Sequence, residues 1–142
     1  MKMTLEVDAQ PQGRIRFSRG RCYYSPKDMQ YRKSVREQAK AAMAGKEPMT
    51  GEICAAVKIY RKYKNSARQF GDVDNHLKAI FDALNGVCYV DDAQIVRAVV
   101  EKHTDKARPR VEIELGAIEI GKNRQNLNEN EIQLRTYRLN DN

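Results

Sequence analysis

The chain has 142 residues and a mass of 16.3 kDa, room for one domain. Its 41% hydrophobic and 32% charged content suits a packed core under a well-solvated surface. No apolar run nears the roughly 18 residues of a membrane helix and no secretion-type segment opens the chain, so neither a span nor Sec export is expected. Cys22, Cys54 and Cys88 lie far apart and odd in number, which excludes a disulfide framework or zinc site and fits a reducing cytoplasm. The net charge of +7 is localised: residues 1–46 hold eleven Lys/Arg against four Asp/Glu, whereas residues 47–142 are balanced at fifteen each. A localised basic surface points to a phosphate-backbone partner.

In chain order, residues 1–7 predict a short strand with Met3, Leu5 and Val7 on one face. Residues 8–24 read as irregular, interrupted by Pro11, Gly13 and Gly20, with Arg14, Arg16, Arg19 and Arg21 interleaved with Phe17, Tyr23 and Tyr24. Ser25-Pro26-Lys27-Asp28 is a helix start: Ser25 as N-cap, Pro26 first in the helix, Asp28 completing a capping box. This helix should run to about Ala44, burying Tyr31, Val35, Ala39 and Ala42, with Gly45 ending it. Strict alternation of Ile53, Ala55, Val57 and Ile59 predicts a strand over 52–60, leading into a basic stretch that includes Lys62 and Arg68.

Leu77, Ile80, Phe81 and Leu84 have the spacing of an amphipathic helix over 75–84, closed by Asn85-Gly86. A short strand at 87–90, a strand at 95–102 and core positions Val111, Ile113 and Leu115 complete the pattern, with an exposed turn around 106–110. Strands and helices do not alternate as in a doubly wound sheet, so the expected class is α+β, with a small mixed or antiparallel sheet and two main helices. The expected organisation is one domain over 1–116. Residues 117–142, with six asparagines after position 122, read as a peripheral tail with a short element at 130–139.

The chemistry concentrates in Asp72-Val73-Asp74-Asn75, followed by Asp91-Asp92. A ten-residue helix carries the chain about 15 Å away, and four extended residues return it by about 13 Å, so the two acid pairs should meet. Clustered carboxylates repel unless a cation neutralises them, and oxygen-only ligands suit Mg²⁺ or Mn²⁺. Lys78, one turn beyond Asp74, could set an ammonium beside a phosphate. Metal-binding acids, a lysine and basic flanks add up to phosphodiester hydrolysis.

Each residue also has a structural use: Asp74 as a helix cap, Asp91-Asp92 as a polar turn, Lys78 as a surface partner of Asp74 or Asp82. His76 reads as a surface or helix-flank residue. An EF-hand calcium loop fails, because His76 and Leu77 stand where an oxygen ligand and glycine are needed. No phosphate loop, dinucleotide fingerprint or nucleophilic-serine elbow is present, so no nucleotide cofactor is expected.

The combination Asp72-Val73-Asp74-Asn75-x-x-Lys78, Phe81-Asp82-Ala83-Leu84 and Asp91-Asp92-Ala93-Gln94-Ile95 resembles the RusA family of Holliday-junction resolvases. Arg19-Gly20-Arg21-x-x-x-Ser25, with Tyr31-Arg32 beyond it, is similar to that family's N-terminal basic region. The resemblance covers roughly residues 3–115. It implies a compact α+β homodimer, typically phage- or prophage-borne, that cuts four-way DNA junctions with Mg²⁺ or Mn²⁺ in the bacterial cytoplasm. By motif position, Asp72, Asp74 and Asp92 would be the essential metal-binding acids and Lys78 the catalytic lysine, with Asp91 the adjacent acid. Arg14, Arg16, Arg19, Arg21, Lys33, Arg36, Lys62 and Arg68 are the expected DNA contacts. The alternative is a non-catalytic nucleic-acid-binding protein whose arginines grip phosphates while Tyr23, Tyr24, Tyr60 or Tyr63 stack on bases.

Overall fold

A computed structural model describes residues 1–62 and 71–118. The expected contact Arg68 and the element expected at 130–139 lie outside these residues. The expected α+β class holds. Four strands form a mixed sheet in the order β1 (Lys2–Leu5), β6 (Arg110–Ala117), β4 (Ile53–Arg61), β5 (Ile95–Thr104). A separate two-stranded ribbon joins β2 (Arg16–Ser18) to β3 (Arg21–Tyr23), and two helices, α1 (Pro26–Met43) and α2 (Val73–Leu84), complete the fold.

The alternation in β4 builds the core. Ile53, Ala55, Val57 and Ile59 are buried, and antiparallel pairing sets Ala55 beside Leu115, Val57 beside Ile113 and Ile59 beside Val111. Strand β1 extends the same apolar face, with Met3 opposite Ile113 and Leu5 opposite Val111. Tyr31, Val35, Ala39 and Met43 of α1 and Ala79, Ile80, Ala83 and Leu84 of α2 join this single core. Trimming one of its fully buried leucines to alanine would cost about 2–5 kcal/mol.

The opposite sheet face is a ladder of charges. Lys2 pairs with Glu114 at 3.6 Å, Lys58 with Glu101 at 4.0 Å and Arg110 with Glu112 at 2.7 Å. Tyr60 lies between the Arg110 guanidinium, 3.7 Å from its ring centre, and the stacked His103 ring. Strands β4 and β5 run parallel, with α2 as the crossover between them.

The helix start at Ser25 is as expected, with one difference. Ser25 Oγ accepts from Asp28 N at 3.2 Å, but Asp28's carboxylate takes the hydroxyl of Ser25 rather than its backbone N–H. The buried stripe of α1 ends on Met43 instead of Ala42, which is exposed, because the buried residues step by four along the helix. Residues 8–24 are not wholly irregular. Arg19 (φ 51°) and Gly20 (φ 75°) both turn left-handed, making the two-residue loop that pairs Ser18 with Arg21.

The strand expected over 87–90 is a turn. Val87 and Cys88 both donate to the Leu84 carbonyl, at 3.0 Å each, and Gly86 donates to the Tyr89 carbonyl at 2.7 Å. Local hydrogen bonds folded back onto the end of α2 outcompete extension for this short apolar run. No helix among the described residues is long and apolar enough to cross a membrane.

Candidate functional site

Helix α2 carries the acids, and its first turn is fixed from several directions. Gly71, just before it, has φ +68°, and a Cβ there would stand 2.7 Å from Pro11 Cβ. Glycine is thus required on both conformational and steric grounds. Gln12 N donates to the Asn75 carbonyl at 3.0 Å, lacing the 8–13 segment over the same turn. His76, expected at the surface or helix flank, is instead fully buried, its Nε2 3.4 Å from Arg61 Nη1 at the end of β4. Arg61 also faces Asp8 Oδ1 at 3.8 Å, and desolvation lowers its pKa. The basic stretch after β4 therefore starts with an inward guanidinium, because Arg61 continues the buried side of the strand's alternation.

Asp72 occupies the N-cap position of α2, yet its side chain makes no capping hydrogen bond. Asp72 and Asp74 are both exposed. Beyond the turn, Asp91 and Asp92 play different parts. Asp91 caps a three-residue 3-10 turn, its Oδ1 accepting from Ala93 N at 2.8 Å. Gln94 completes that capping box and ties it to the Met49 and Gly51 carbonyls, at 3.1 and 2.9 Å. Asp91 thus has the structural use that sequence alone left open. Asp92 is half-buried and, with Asp82, acts electrostatically on both Lys78 and Tyr89.

Lys78 donates to Asp82 Oδ1 at 2.9 Å. That hydrogen bond, with the Asp82 and Asp92 charges and Tyr24, holds its pKa above the ordinary lysine value. Asp82 is a junction of contacts, taking Gln12 Nε2 at 3.2 Å and Arg32 Nη2 at 3.5 Å on its other oxygen. Arg32 lies over the Tyr24 ring, 4.1 Å from its centre, and Gln12 reaches the Tyr24 hydroxyl at 3.4 Å. Sequence reasoning gave Asp82 no site role. The available signal was its place one turn after Lys78, on the same helix face.

The expected DNA contacts divide. Arg14, Arg16, Arg19 and Arg21 are exposed on and beside the β2–β3 ribbon. Lys33 is exposed on α1, 3.8 Å from Glu37, and Lys62 is exposed just past β4. Arg36 turns inward, Nη1 donating to the Ala83 and Asn85 carbonyls at 3.2 and 2.7 Å, where it closes the C-terminal end of α2.

Among the described residues, no three His, Cys, Asp or Glu side chains converge into a group that could hold a metal ion. The chemistry of the donors nevertheless suits a hard cation. Asp72, uncommitted to its helix, and Asp74 and Asp92 offer oxygen alone.

The sequence matches the family described as endodeoxyribonuclease RusA over residues 5–116. Over 82 residues it is 35% identical to the uncharacterized protein YqaN of Bacillus subtilis strain 168. That alignment takes in 46% of this chain and 57% of YqaN, so the chain spans little more than half the length of this curated relative. With the family's match running from the end of β1 through both helices, β4 and β5 and nearly all of β6, the chain belongs to the RusA endodeoxyribonuclease family.

Proposed function

We propose that the protein is a structure-selective DNA endonuclease that resolves four-way junctions by paired nicks. Asp72, Asp74 and Asp92 would hold Mg²⁺ or Mn²⁺, with Asp91 supporting Asp92 through the turn that it caps. A bound divalent cation would activate water and neutralise charge on the scissile phosphate. Hydrolysis joins a water oxygen to phosphorus and breaks the P–O3′ bond, leaving a 5′-phosphate and a 3′-hydroxyl. Lys78, kept protonated by Asp82, stabilises the negative charge that builds on the phosphoryl oxygens. Arg14, Arg16, Arg19, Arg21, Lys33 and Lys62 bind the phosphates of the arms, and the active species is a homodimer.

The observation that carries this reading is Lys78, set one turn beyond Asp74 and within the electrostatic reach of Asp92. Its ammonium is hydrogen-bonded to Asp82 and feels the charge of Asp92, acids from two separate stretches of sequence. The test is strand cleavage on a synthetic four-way junction with Mg²⁺, for the native protein and Asp74→Asn. The substitution should abolish nicking while leaving junction binding intact or stronger, because it removes a cation ligand and a negative charge near DNA. Nicking at about a tenth or more of the native rate would overturn the assignment. Tight binding without cleavage by the native protein would favour the non-catalytic reading.

A further inference from the structure

The β2–β3 ribbon has two unlike faces. Its register sets Arg16 opposite Tyr23 and Ser18 opposite Arg21 on one side, and Phe17 opposite Cys22 on the other. Phe17 is 73% exposed, and Ile15, two residues earlier, is 60% exposed. An aromatic side chain this open on a two-residue-turn hairpin adds nothing to the core. Its ring is open to a partner with an apolar face.

Charge selects among the candidates. No acid occurs between Asp8 and Asp28, while Arg14, Arg16, Arg19 and Arg21 fall within that stretch. A second copy of this ribbon carries the same arginines and no acid, so it offers them no charge complement. Nucleic acid offers phosphates for the arginines and flat base surfaces for the ring. The base of the ribbon is also joined to the candidate site. Tyr24 touches Arg32 and Gln12, and both of these reach Asp82, the partner of Lys78. Cys22, opposite Phe17, is two residues from Tyr24, about 7 Å along a strand. That is roughly two nucleotide steps at about 3.4 Å each.

We infer that the ribbon is a branch-point reader: Phe17 stacks on the base pair left uncovered where the arms of a junction part, while Arg16 and Arg21 on the ribbon's other face and Arg19 at its turn hold phosphates of the adjoining arms. The inference rests on the nuclease reading and deepens it, giving a physical source for preference for branched over continuous DNA. In continuous duplex each base pair is covered by its neighbours, and inserting a ring costs a few kcal/mol of unstacking per step. At a branch point that cost is already met by the DNA's own geometry.

The test compares binding of the full chain to a synthetic four-way junction and to linear duplex, at fixed salt and without divalent cations. Phe17→Ala should weaken junction binding by about tenfold, within the range for one base–aromatic stack, and leave duplex binding unchanged. Phe17→Trp should restore it and Phe17→Leu should not. Equal weakening on both DNAs, no weakening on either, or full rescue by leucine would overturn the inference. So would a fall in oligomeric mass in Phe17→Ala, which would show that the face covers a second copy. A native protein that neither prefers nor cuts the junction removes the nuclease reading and this inference with it. Junction preference and cleavage that survive Phe17→Ala remove the inference alone.

Discussion

Lys78 and Asp82 show how a single pair keeps one lysine charged. The Asp82 hydrogen bond raises the Lys78 pKa above its ordinary 10.5. A raised lysine pKa means that the pair's stabilisation is complete below that ordinary value and is lost as pH rises through the higher folded one. Neutral solutions therefore see one fixed charge state. The Lys78 side chain is 59% exposed, which limits this i,i+4 pair to about 0.3–0.5 kcal/mol. Its importance lies in position rather than in stability. Asp82→Asn should bring the Lys78 titration, followed by NMR at the side-chain ammonium, down toward 10.5; an unmoved titration would show that another group controls it. Lys78→Ala should slow cleavage by about 100-fold or more without weakening metal affinity, since an ammonium opposes a cation and cannot ligate it. A much weaker metal titration in that variant would reassign the residue. At this scale the sequence marked candidate residues but not the contacts they make. Asp72, Asp74, Asp91, Asp92 and Lys78 were all conspicuous by spacing. That Asp91 caps a turn and that His76 packs inward against Arg61 depended on contacts between residues distant in sequence.

Elements with one buried face were the most legible. The period-two pattern of β4 and the capped start of α1 both follow from local physics that needs no tertiary context. The β2–β3 ribbon escaped because three-residue strands carry too little alternation and Arg19-Gly20 is a weak turn signal beside Asn-Gly. The 87–90 segment misled because four apolar residues fit a strand and a buried turn equally well. Burial supports the second: Val87, Cys88 and Tyr89 all sit in the core, and burial raises the Cys88 thiol pKa to about 11, leaving it protonated and unreactive. The ribbon's exposure yields a prediction distinct from that for Phe17. Replacing Arg14, Arg16, Arg19 and Arg21 together with glutamine should weaken binding to all DNA. It should also flatten the slope of log K against log salt by about 0.9 for each lost duplex phosphate contact. An unchanged slope would show that the ribbon points away from DNA.

At the scale of the whole molecule, β1 and β5 are the edges of the main sheet among the described residues. Strand β5 is ten residues long, and Val96 and Val99 on it are exposed. One edge strand bearing such side chains is a liability in a lone subunit, which natural sheets usually blunt or cover. The proposed reaction makes a separate demand. Resolving a four-way junction takes two nicks in strands related by the junction's own two-fold axis. One proposed site at Asp72, Asp74 and Asp92 could serve only one strand at a time. Two copies about a two-fold axis would supply both sites in matching geometry, and such dimers are the commonest closed assembly. They would also double the +7 charge of each chain, widening the basic surface for several DNA arms. Light scattering at micromolar concentration should report about twice the 16.3 kDa chain mass. A monomer making paired, near-simultaneous nicks would overturn the argument from symmetry. A monomer making single nicks would reduce the protein to a nickase, because one acid site would then be acting without a partner.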